Sequence, residues 1–155
     1  MHSVALDRYD VRILSLLQSN SRLGRLELAD NVGLSASQCF RRVKRLEEEG
    51  VIERYTVTIN KARVGIDVSA MVMVQFTKSE PDSRLKLMAL IDKLPMVQDA
   101  FSITGEYDFF LRVHCKTMQD FSRFINHDLQ VSFVSGIHSY MLLECIKQSE
   151  GVVLI

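Results

Sequence analysis

At 155 residues the chain has room for one average domain or two small ones, and with 47% of its residues hydrophobic it can bury a core. Nineteen basic and nineteen acidic side chains cancel to a formal net charge of zero, so overall charge is silent about a polyanionic partner and only local clustering can argue for one. The three cysteines (Cys39, Cys115, Cys145) are far apart and lack C-x-x-C spacing, which suits reduced, mostly buried thiols rather than a disulfide framework. No apolar run reaches the length of a membrane span and MHSVALD lacks a signal-peptide pattern, so a cytoplasmic protein without membrane partners is expected.

The first element, LDRYDVRILSLLQSN, is predicted to be a helix capped by Asp7, with Leu6, Ile13, Leu14, Leu16 and Leu17 as its buried stripe. A short apolar helix follows (Leu23, Leu26, Leu28, Ala29) and breaks at Gly33. Ser35 then opens another helix, with Gln38 completing a capping box, and Gly50 suits the left-handed position past its end. This helix keeps Cys39, Val43 and Leu46 on one face while Arg41, Arg42, Lys44 and Arg45 crowd the others. Two helices joined by a tight glycine turn, the second capped and basic, form a helix-turn-helix, which places side chains in the major groove of double-stranded DNA.

Ser37, Gln38 and Arg41, in the N-terminal half of that helix, are expected at base edges, Gln suiting adenine and Arg guanine. Ser35 lies at the helix start, where free backbone N–H groups can hold a phosphate. Arg42, Lys44 and Arg45 are assigned to phosphates or to support within the protein. Phe40 is awkward on an exposed helix and is expected to touch a thymine methyl or to pack on the first helix. Glu47, Glu48 and Glu49 read as a solvated helix end, with Lys44–Glu48 and Arg45–Glu49 as i,i+4 pairs. Residues 1–60 hold nine basic and eight acidic side chains, so non-specific DNA affinity should be modest.

Past Gly50 the pattern turns extended. Residues 51–60 read as a strand (Tyr55, Val57 and Ile59 alternate) and 61–67 as a hinge, so that residues 1–50 form the DNA-binding domain and 68–155 a second one. VSAMVMVQF alternates Val68, Ala70, Val72, Val74 and Phe76 with Ser69, Met71, Met73 and Gln75, both sets fairly apolar. A helix with Leu85, Leu87, Leu90, Ile91 and Leu94 then runs to Pro95. Strands at 97–103 and 107–115, a helix at 117–129 burying Met118, Phe121, Phe124 and Ile125, and a last strand over about 136–147 complete the order. β-α-β-β-α-β is the ferredoxin-like unit, so the chain is read as α+β, an N-terminal helix-turn-helix domain plus a C-terminal ferredoxin-like domain. Such a sheet has helices on one face; a second copy covering the other makes a homodimer the expected state.

Several separated blocks in order (LDxxDxxIL, RLGRLELADNVGLS, RRVKRLEEEGVIERY and ITGEYDFFLRV) resemble the Lrp/AsnC, or feast/famine, family of transcriptional regulators over nearly the whole chain. Gly24 stands where that family more often has a Ser or Thr cap, and Phe133 where it usually has Gly. The resemblance implies that the second domain senses a small effector, an amino acid or related metabolite, and that dimers assemble further, commonly to octamers. It also implies an effector site at Thr104, Gly105, Glu106, Tyr107 and Asp108, with Ser139 where the family usually carries Thr. Asp108 could meet an α-ammonium group and Gly105 could let a carboxylate approach the backbone; GEYD also reads as a plain hairpin turn.

Catalysis finds no support. Of the four histidines (His2, His114, His127, His138), His114 is adjacent to Cys115 on a strand and points to the opposite face, and His127 and His138 read as surface or satisfied core residues. No hydrolase, P-loop or dinucleotide motif appears, so no enzyme, metal or cofactor is expected. The rival reading is a metabolite-binding assembly protein with a vestigial helix-turn-helix.

Overall fold

Asp7 starts the first helix: its carboxylate accepts from the N–H groups of Tyr9 and Asp10, while the Asp10 carboxylate accepts from the N–H of Asp7. This box satisfies donors that every helix start leaves without intrahelical partners. In the computed structural model, which describes residues 4–77, 81–149 and 151–154, α1 (Arg8–Ser19) is followed by α2 (Arg25–Val32) and α3 (Ala36–Glu48). Gly33, at φ +76°, closes α2 in the left-handed region, where its missing side chain removes the strain. The three helices bury Ile13, Leu14, Leu28, Ala29, Cys39 and Leu46. Leu26, expected in this core, is 72% exposed, because Leu28 and Ala29 alone set the inward stripe of a two-turn helix.

The predicted strand at 51–60 is not formed. The N–H groups of Val51 and Ile52 turn back to the Leu46 carbonyl, and the following stretch joins no sheet among the described residues. Alternation could not supply a ladder, and a segment without one leaves much of its backbone to solvent. Tyr55, Val57 and Ile59 are accordingly exposed.

Two compact units result, one comprising Met1–Thr58 with Lys147–Ile155, the other Ile59–Ile146. The C-terminal segment, expected with the second domain, thus belongs with the helices. Gln18 donates from Nε2 to the Val152 carbonyl (3.2 Å) and accepts at Oε1 from the Val152 N–H (2.6 Å), and Leu154 packs against the helical core.

The second unit holds β1 (Val68–Phe76), α4 (Ser83–Ile91), β2 (Val97–Ser102), β3 (Phe109–Cys115), α5 (Met118–Arg123) and β4 (Val134–Met141). All neighbouring strands are antiparallel in the order β2-β3-β1-β4, the ferredoxin-like arrangement. Ala70, Val72, Val74, Leu111 and Val113 turn toward Leu87, Phe121 and Phe124 to form its core. The expected single helix at 117–129 is α5, capped by Thr117 and Asp120, continued by a π-helical turn at Phe124–Asp128. Met118 and Leu85, expected inside, are 55% and 63% exposed. Leu87 faces the sheet, and Leu85, about 200° away around α4, therefore faces out. The last strand ends at Met141, with Leu143 and Ile146 almost fully exposed beyond it. On the sheet's other face Met71 pairs with Arg112 and Tyr140, and Met73 with Phe110 and His138.

Candidate functional sites

Along α3 each residue advances about 100°, so turning Cys39 and Leu46 inward places Ser37, Arg41, Lys44 and Glu48 in a line on the outer surface. All four are exposed. Lys44 reaches Glu48 (3.4 Å) and Arg45 reaches Glu49 (3.7 Å), the two i,i+4 pairs the spacing predicts. Arg42 and Arg45 lie on the flank facing α1. Arg42 Nη1 is 2.8 Å from both Asp7 Oδ2 and Asp10 Oδ1, and Arg45 Nη2 is 2.6 Å from Asp10 Oδ2. Asp10 is 1% exposed and both its oxygens are occupied, so the ion pairs bolt α3 to α1. Hydrogen bonds to Asp10, then Asp7, raise the Arg42 pKa, while the Asp10 N–H and the Arg42 guanidinium hold the Asp7 carboxyl low against partial desolvation. These contacts are support within the protein, one of the two roles expected for Arg42 and Arg45.

Ser35 and Gln38 form the predicted box. Ser35 Oγ accepts from the Gln38 N–H (3.3 Å) and donates to Gln38 Oε1 (3.0 Å), which also accepts from the Ser35 N–H (3.3 Å). Reading adenine with both amide atoms therefore requires Gln38 to release this cap. Phe40 stays exposed on α3 and is covered from α2: the Arg25 guanidinium lies 4.3 Å from its ring centroid. Beside them is a hollow of about 310 Å³ lined by Leu17, Leu23, Val43, Glu47 and Tyr55 among others. Tyr55 Oη donates to Glu47 Oε1 (2.7 Å); burial, then that carboxylate, push its pKa up to about 12.

The turn at 104–108 is pinned to the end of β1. Phe76 N–H donates to Asp108 Oδ2 (2.8 Å), Asp108 N–H donates to the Val74 carbonyl (2.9 Å), and Gln75 Nε2 donates to the Glu106 carbonyl (3.1 Å). Gly105 sits at φ +123°, a conformation closed to other residues without strain, and the space where a Cβ would stand is empty. Thr104, Gly105 and Glu106 are exposed; the Tyr107 ring is 6.3 Å from that of His138, which in turn neighbours Tyr140 at 4.7 Å. Partial burial, then Glu106 and Tyr140, raise the Tyr107 pKa. Ser139 pairs with the buried Val72 and so belongs to the helix-side face of β4, opposite to its neighbour His138. The structure thus gathers residues 104–108 with Gln75, Phe76 and His138, and leaves Ser139 apart from Tyr107.

Sequence reasoning missed Asp10, Arg25, Gln75 and His138. Only Asp10 had a local signal, its position three residues after the cap Asp7. The remaining histidines have structural surroundings. His114 Nδ1 is 2.8 Å from Ser69 Oγ, on the face opposite buried Cys115, and His127 is exposed beside Asp128; His2 lies outside the described residues.

A capped basic helix carried on a three-helix unit, joined to a ferredoxin-like sheet unit with a glycine-led turn, defines a helix-turn-helix regulator with a sensor domain. Residues 6–53 match the winged helix-turn-helix DNA-binding model, and residues 69–152 match the Lrp/AsnC ligand-binding domain. A leucine-responsive regulatory protein of Rhizobium meliloti is 39% identical over 148 residues, 94% of each chain, and the transcriptional regulator AzlB of Bacillus subtilis is 29% identical over 96% of each. A transcriptional regulator of Neisseria meningitidis, solved as its complex with L-methionine, superposes with a TM-score of 0.89 at 34% identity and 94% coverage of both chains. The chain belongs to the Lrp/AsnC family of DNA-binding transcriptional regulators. No helix among the described residues is long and apolar enough to cross a membrane.

Proposed function

We propose that this regulator binds an amino acid at the 104–108 turn and answers it by changing its assembly or its affinity for DNA. The observation that carries the reading is the Neisseria relative, similar over nearly its whole length and solved with L-methionine. Two features of this chain support it. Gly105 leaves backbone groups open to a ligand carboxylate, and Asp108 offers a carboxylate for its ammonium group, one oxygen being engaged with the Phe76 N–H. Ser139, on the other sheet face, is the least supported member of the proposed site.

On the DNA side, Ser37 and Arg41 are proposed for base edges together with Gln38 once its cap opens. Lys44 and the Ser35 helix start would meet phosphates, and Arg42 and Arg45 would act chiefly by holding α3 on α1. A homodimer is proposed through the sheet face bearing Met71, Phe101 and Tyr140, all at least one-third exposed. The stretch near 53–60, which joins no sheet among the described residues, offers a second point of pairing, and further assembly to an octamer would add avidity to a nearly neutral DNA-binding half. The protein has no catalytic role in this reading, and its place is the cytoplasm.

Thermal-shift titration against the twenty amino acids tests the sensor, because a ligand that binds only the folded state raises apparent stability. The expected result is a shift with one or a few amino acids that Asp108→Asn weakens while DNA affinity without ligand holds. If Asp108→Asn mainly lowers the melting temperature of the unliganded protein, the turn is structural and the sensor reading fails. Light scattering that finds a monomer at micromolar concentration would remove the dimer.

A further inference from the structure

We infer that Arg25 is a DNA phosphate contact and that Phe40 is the residue that positions it, which extends the DNA-facing surface from α3 onto α2. The inference rests on the proposed reading that the outward line of α3 faces DNA.

Phe40 stands three residues after Ser37 and four before Lys44, so on the helix surface it touches that outward line along its edge. Its ring is 43% exposed, an unusual state for a phenylalanine in so small a unit, and the side chain over it is Arg25 at 4.3 Å. A guanidinium lying on a ring uses its face and keeps its in-plane N–H donors for an anion. A long side chain that is already stacked also loses less freedom when it meets a phosphate.

The ion pairs around α3 give the site its weight. Of the cations on α3 or stacked against it, Arg42 is paired with Asp7 and Asp10, Arg45 with Asp10 and Glu49, and Lys44 with Glu48. Arg41 and Arg25 have no carboxylate partner among the described residues, and Glu47, which lines the same hollow as Arg25, is engaged by Tyr55. A surface that looks strongly basic in sequence thus has few uncommitted charges, and one of them is held out by an aromatic ring from a neighbouring helix.

The test measures affinity of the full chain for a selected operator, and for unrelated duplex, across a salt series. Arg25→Ala should weaken binding about tenfold on both DNAs. It should also flatten the slope of log affinity against log salt by about 0.9 for each bound recognition helix. Phe40→Leu, which keeps apolar bulk but removes the ring, should weaken binding about threefold with the slope preserved, and should add nothing in the Arg25→Ala background. Circular dichroism melts confirm that each variant folds. An unchanged slope and affinity in Arg25→Ala, with Lys44→Ala flattening the slope as a phosphate-facing cation should, would overturn the inference alone. If neither variant alters affinity or slope, the reading of α3 falls and takes this one with it. A Phe40→Leu loss of equal size in the Arg25→Ala background would show that the ring meets DNA itself and would overturn its positioning role.

Discussion

The helical unit and the sheet unit hold their cores by different chemistry. In the sheet unit, Ala70, Val72, Val74, Leu111 and Val113 are sealed by Leu87, Phe121 and Phe124, all inward-facing and almost all fully buried. The helical unit has a smaller apolar cluster and adds a polar clamp, in which one buried carboxylate, Asp10, ties Arg42 and Arg45 of the recognition helix to α1. It also borrows Leu154 and the Gln18–Val152 hydrogen bonds from the far end of the chain. A basic run on a small helical unit therefore cannot all be counted as DNA-binding charge. Part of it substitutes for the apolar area that so short a segment lacks.

The largest expected effects set the two cores side by side. Leu111→Ala should destabilise the sheet unit by about 3 kcal/mol, the usual cost of deleting a fully buried leucine side chain. Asp10→Ala should destabilise the helical unit by a similar amount, about 3 kcal/mol. That is the low end for a broken buried pair, since Arg42 and Arg45 keep 25% and 41% of their side-chain surface in water. Urea melts, with hydrogen exchange to locate each loss, check both. An Asp10→Ala cost under about 1 kcal/mol would show that the clamp behaves as an ordinary surface pair and would break the contrast.

Leu154→Ser should cost about 1 kcal/mol, read as faster exchange in α1 with β1 and β3 unchanged, since Leu154 is only partly buried. Equal acceleration in the sheet would mean that the segment does not belong to the helices alone.

Two titrations follow, one per unit. Tyr55 holds its proton to about 12 in the folded protein, against about 10 in an unfolded chain. Its contribution is therefore fully present below pH ~10 and is lost as pH rises through about 12. Glu47→Gln should bring the ultraviolet phenolate titration of Tyr55 down toward the ordinary value.

The smallest effect is expected at His114. Burial first, then Lys61 and Arg112, lower its pKa below the ordinary value near 6.5 against the opposing pull of Asp99. The unfolded chain then binds the proton more readily, so this contribution is full above pH ~6.5 and declines as pH falls through the folded value. His114→Gln should remove that part of the acid slope, and NMR titration of the ring protons gives the direction independently.

Local chemistry was legible in the chain itself. The Ser35–Gln38 box, the Asp7 cap, the glycine stop at Gly33, the alternation of 68–76 and the opposite faces of His114 and Cys115 all follow from neighbours a few residues apart. So did the order of elements, and with it the α+β class and the two-part organisation. Tertiary structure decided what depends on a partner distant in sequence. Residues 51–60 alternate in sequence but found no ladder, and the basic run was divided by a carboxylate 32 and 35 residues upstream. Phe40 received its arginine from another helix, Asp108 spent an oxygen on the backbone of β1, and the final segment returned to α1. The physical reason is common to all of these. Caps and periodicity are set by backbone geometry within one or two turns, whereas a charge or an unpaired N–H takes whichever partner folding brings within about 3 Å, and sequence separation carries no record of that distance.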